Sequence, residues 1–111
     1  MTELQRVRSG TLDVVLLSPN EALREGQDAL TIEFRSAADG TLVDVGAVKA
    51  DATMPMAGMA PMMGDIQVQP SGVKGRYAAA TDLEMAGTWR VTIDWDGPAG
   101  RGSLSFTQSV Q

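Results

Sequence analysis

Alternation dominates this chain. Leu30, Ile32 and Phe34 alternate with Thr31, Glu33 and Arg35, and Trp89, Val91, Ile93 and Trp95 alternate with Arg90, Thr92 and Asp94. A period of two sends the apolar set to one face and the polar set to the other, which is how a half-buried strand reads. Weaker versions of the pattern cover residues 11–17, 42–53, 66–69, 76–81 and 103–107, so about seven strands are expected. Turn chemistry separates them: Ser18-Pro19-Asn20, Asp39-Gly40, Ser71-Gly72, Ala86-Gly87 and the run from Asp96 to Gly100. Helical periodicity is missing, and only residues 19–26 (PNEALREG) have room for a helical turn. The pattern predicts an all-β, immunoglobulin-like antiparallel β-sandwich, with a small barrel as the alternative. Residues 10–111 are expected to form one domain, preceded by a flexible segment or linker over residues 1–9.

Composition agrees with a folded domain. At 111 residues, 43% hydrophobic and 21% charged, the chain can bury one core without disulfides. Its formal net charge is −5 and its nine basic residues are scattered, so no nucleic-acid partner is expected. No stretch approaches the roughly 20 apolar residues of a spanning helix, and residues 1–10 (MTELQRVRSG) lack the apolar run of a secretory signal. If the protein is exported, the segment responsible lies outside this sequence.

The chain has neither histidine nor cysteine. Ser-His-Asp and Cys-His nucleophilic constellations are thereby absent, along with thiolate and imidazole metal sites. Asp94 and Asp96 are better read as the polar face of a strand and the start of an Asp-Gly turn than as an acid–base pair. The run GPAGRG lacks the spacing and following helix of a phosphate loop, and Asp39, Asp44 and Asp51 do not follow a calcium-loop pattern. No enzymatic activity is expected.

One chemistry is left. Five of the seven methionines fall within MPMAGMAPMMG, residues 54–64. Thioether sulfur is a soft, neutral donor that suits Cu(I), and by the same softness Ag(I), while competing poorly for harder ions. The candidate ligands are Met54, Met56, Met59, Met62 and Met63, with Met85 and Trp89 from a second segment. Continuing the strand from Val48, Met54 and Met56 share its apolar parity, so they also read as core, as does Met85 beside the strand that opens at Trp89. Past Met56 the alternation breaks. Residues 57–64 read as a loop on which Met59, Met62 and Met63 stand partly exposed, in need of an ion, a protein surface or a fold-back onto the sheet. Trp89 reads either as a residue buried between sheets or as an indole face over a cation.

The order Met54-Pro55-Met56-Ala57-Gly58-Met59, then Gly75-Arg76-Tyr77, then Met85-Ala86-Gly87-Thr88-Trp89 resembles the YtkA-like/FixH-like domain over most of the chain. The resemblance implies an extracytoplasmic, periplasmic, immunoglobulin-like sandwich, found alone or attached to adaptor subunits of copper/silver efflux pumps, with FixH-type relatives accompanying copper delivery to oxidases. It places the family motif on Met54, Pro55, Met56, Met59, Tyr77, Met85, Gly87 and Trp89. Ala60-Pro61-Met62-Met63 extends the methionine segment beyond that motif. The expectation is a non-enzymatic accessory domain that binds Cu(I) or Ag(I) transiently, with an adaptor or pump component as partner. The alternative is an interaction or structural module without metal.

Overall fold

The computed structural model describes residues 1–98 and 100–111. Eight antiparallel strands are present: β1 (Thr2–Ser9), β2 (Leu12–Ser18), β3 (Gly26–Ser36), β4 (Ala47–Met56), β5 (Met59–Pro70), β6 (Arg76–Leu83), β7 (Gly87–Gly97) and β8 (Gly100–Val110). Their order is β1-β2-β3-β6-β5-β4-β7-β8. β5 belongs to both layers of the sandwich: residues 59–64 run beside β4, and residues 65–70 run beside β6. Gly64 sits at the crossing. A Cβ there would collide with Leu83 and lie 3.1 Å from the Trp89 ring, so the absence of a side chain lets the two layers meet.

The alternating faces meet in one core. Phe34 packs edge-on against Tyr77 (5.6 Å between centroids) and against Trp95 (5.3 Å), joining the two layers. Tyr77 also donates its hydroxyl to the Gly46 carbonyl at 2.6 Å, pinning the loop that leads into β4. Gly75 packs against the Val43 backbone at a φ of 84°. Two members of the Gly-x-Tyr motif therefore serve packing.

Several elements differ from the sequence reading. Where a flexible segment is expected over residues 1–9, β1 pairs with β2. The tight turn at Gly10 (φ 60°) brings the strands together, Arg6 and Arg8 reach Asp13, and a bulge between Glu3 and Gln5 disguises the alternation. Residues 19–26 hold no helical turn. Leu23 is instead buried and bridges Val110 in parallel, with the Gln111 amide donating to the Leu23 carbonyl at 2.8 Å. The strand expected over residues 42–53 begins only at Ala47, because Gly46 (φ 79°) turns the chain against Asp96 and Gly97. The count among the described residues is thus eight strands rather than seven. Among the described residues no ladder joins β1 to β8. The Gln5 side chain reaches across instead, donating Nε2 to the Thr107 carbonyl at 2.9 Å, so the architecture is a sandwich and not a closed barrel.

On the outer face of the first layer, built from β1, β2, β3, β6 and residues 65–70 of β5, Glu33 is buried between two guanidinium groups, Arg76 at 2.7 Å and Arg35 at 2.9 Å. Burial pushes its pKa up, but the hydrogen bonds and charges of Arg76 and Arg35 outweigh burial and hold it below the ordinary carboxylate range. A depressed folded-state pKa contributes stability that is complete above the unfolded value and is lost as pH falls through the folded one. Thermal melts across acidic pH are therefore expected to decline below the ordinary carboxylate range. Glu33→Gln should lower the neutral-pH melting point and flatten that decline.

Candidate metal centre

The methionine segment is a hairpin, not a loop. Gly58, at φ 71°, makes the tight connection between β4 and β5. The register then pairs Met56 with Met59 and Met54 with Met62, leaving Ala60 and Pro61 opposite Pro55 alone. That is a β-bulge, a position that tolerates prolines with no N–H to offer the ladder. Directly opposed residues of an antiparallel pair project to the same side, and so do residues two apart on one strand. Met54, Met56, Met59 and Met62 consequently share one face of the ribbon.

The four descend in exposure toward the core. Met59 is 69% exposed, Met56 and Met62 are half-buried, and Met54 is 9% exposed within the core. Met85, whose side chain is 38% exposed, lies in the turn between β6 and β7. Trp89 is fully buried beside Gly64 and donates its indole Nε1 to the Met85 carbonyl at 2.9 Å. The indole is thus a floor that fixes the Met85 turn, the buried reading of this residue. Met63 is not brought to this face. It pairs with Thr53 on the opposite side of the ribbon and is 65% exposed there.

Gly87 is a packing position that the methionine count alone misses. The Met54 terminal methyl lies against its backbone, where a Cβ would stand 2.8 Å from Cε, and its φ of 140° is unfavourable for other residues. The motif residues Met54, Met85, Gly87 and Trp89 are therefore in mutual support: Met54 on Gly87, and Trp89 on Met85. The signal was present as a glycine two residues before a tryptophan at a strand start. Gly87→Ala is expected to cost about 1–3 kcal/mol from overpacking and backbone strain, read as a lower denaturation midpoint.

The donor set is chemically uniform. Among the described residues no group of three or more acidic side chains converges as a metal site. The face carries thioether sulfur from both strands of one ribbon, a neutral and soft donor type.

The crystal structure of the Lin-41 filamin domain superposes with a TM-score of 0.51 at 18% sequence identity, covering 81% of each chain. The crystal structure of as-isolated FetP from uropathogenic E. coli strain F11, expressed recombinantly in the E. coli periplasm, does so with a TM-score of 0.52 at 12% identity, covering 96% of this chain and 93% of that one. Both share the immunoglobulin-like sandwich. No curated protein matches the chain by sequence. The model of a family described as YtkA-like matches residues 6–94, a span that contains both the hairpin and the Met85–Trp89 turn.

Proposed function

The chain belongs to the YtkA-like family, and from that premise we propose a non-enzymatic, extracytoplasmic accessory domain whose methionine face takes up Cu(I) or Ag(I) and releases it to a partner. The observation that carries the reading is the β4–β5 register, with Met54 opposite Met62 and Met56 opposite Met59 on one face. A scattered set of core methionines would have no reason to stack in consecutive cross-strand pairs at the end of a sandwich. Met56, Met59 and Met62 are the primary ligands, Met85 closes the site from the neighbouring turn, and Met54 with Trp89 forms its base.

Neutral donors suit a carrier. Thioethers hold a soft ion without the charge neutralisation that makes thiolate sites tight, so transfer to a competing site is rapid. Thioethers also do not titrate, so affinity is independent of pH across the neutral range. The extracytoplasmic setting rests on the family and on a fold neighbour recovered from the periplasm. Efflux adaptor or pump components are the proposed recipients. No helix of the described residues is long and apolar enough to cross a membrane.

Calorimetric titration with Ag(I) is the test. The expected result is one equivalent bound with the same affinity at mildly acidic and mildly alkaline pH. Absence of binding at micromolar silver removes the reading. A docking role is favoured by one specific observation, the 65% exposed Met63 on the opposite face. If silver does not bind, the hairpin tip is an adaptable apolar contact for another protein, and Met63→Ser together with Met59→Ser should weaken capture by that partner.

A further inference from the structure

The outer face of the first layer has its own pattern. The outward positions of β6, between buried Tyr77, Ala79, Thr81 and Leu83, are Arg76, Ala78, Ala80 and Asp82: a cation, two methyl groups and an anion. On β3, Thr31 stands opposite Ala78 and Ala29 opposite Ala80, so the middle of the face is low and flat. The two ends differ in charge. Asp65 and Asp82 are direct cross-strand partners, an arrangement that repels, and among the described residues neither forms an ion pair. They rim a shallow depression that also includes Gln27, Gln67 and Ala80. At the other end Arg76 donates Nε to Glu33, and its side chain is 39% exposed.

We infer that this face is an interface for a second copy of the same chain. Turning β6 end for end about a two-fold axis that lies in the interface, between the levels of Ala78 and Ala80, sets Arg76 of each copy over Asp82 of the other. The same operation sets Ala78 over Ala80. Each guanidinium then enters the acidic depression opposite it, relieving the Asp65–Asp82 repulsion twice over. The alanines let the two sheets stack at or inside the usual spacing of about 10 Å. The contact is isologous, so it closes as a dimer and does not propagate. A chain of net charge −5 repels its copies in general. The alternating ends of this one face select the partner and its antiparallel orientation. Because β6 runs toward Met85, the two methionine ends point in opposite directions from the dimer centre, and the interface is independent of any ion site.

Sedimentation equilibrium at low ionic strength tests the pairing. The wild-type chain is expected to reach the mass of two copies, and Asp82→Lys, at an exposed position, should return it to one while its circular dichroism spectrum stays that of the folded chain. The protein has no cysteine, which permits a second measurement. Chains carrying Ala78→Cys and chains carrying Ala80→Cys, mixed equally with oxidised glutathione, should form the 78-to-80 disulfide well above its statistical share. A wild-type chain that stays monomeric at millimolar concentration, an Asp82→Lys variant that dimerises as well as wild type, or a statistical mixture of disulfides overturns the inference.

Discussion

Replacing Met56, Met59 and Met62 together by leucine is expected to weaken Ag(I) binding at least about 100-fold, equivalent to roughly 2.7 kcal/mol, while leaving the fold intact. Leucine matches methionine in volume and apolarity but offers no lone pair, and such exchanges cost under about 1.5 kcal/mol even in well-packed positions. All three side chains are half-buried or exposed, so the denaturation midpoint should barely move. Calorimetry and thermal melts on the same samples separate the two effects. A variant that keeps its affinity assigns the ion elsewhere. A variant that loses both affinity and stability makes these methionines structural.

Trp89→Ala should act in the opposite sense, removing the scaffold. Trp89 is the largest of the fully buried side chains, and its Nε1 holds the Met85 carbonyl. Truncation leaves a cavity between the layers and frees that turn, at a cost of about 3–5 kcal/mol. For a domain near this size that is a fall in melting temperature of at least about 12 °C. Because marginal domains have only about 5–15 kcal/mol of stability in total, the variant sits close to unfolding at body temperature. Trp89→Phe keeps most of the apolar volume and loses the hydrogen bond, so it should fall between. A melting point unchanged in Trp89→Ala would mean that the indole does not support the interlayer packing.

The two predictions divide the methionine end into a part that was legible in the sequence and a part that was not. Strands with strict alternation, Leu30 to Arg35 and Trp89 to Trp95, were visible because one face is buried along their whole length. The hairpin was hidden by its own bulge. Met59 and Met62 are three residues apart, a spacing that breaks a period of two, yet the extra residue opposite Pro55 returns both to one face. A bulge between Glu3 and Gln5 masked β1 in the same way. Local pattern reports parity, and parity fails wherever the ladder carries an unpaired residue.

Identity of the donors was legible for a different reason. In a chain without histidine or cysteine, soft-ion chemistry has only sulfur of methionine to draw on. Which methionines belong together was not, since that depends on register. Met63, next to Met62 in sequence, faces the other way, while Met85, more than twenty residues on, is tied through its carbonyl to Trp89, whose ring lies beside Gly64 of β5. Gly64 and Gly87 read as ordinary breaks in sequence. Only the layer contact shows that their missing side chains make room for Leu83 and Trp89 in one case and Met54 in the other.

The most direct measurement is a spectrum of the methionine methyl groups recorded as Ag(I) is added to the intact chain. The central claim predicts that signals of Met56, Met59, Met62 and Met85 move together and stop at one equivalent, while those of Met63 and Met1 stay where they began. Movement of Met63 in step with Met62, or a spectrum unchanged at saturating silver, contradicts it.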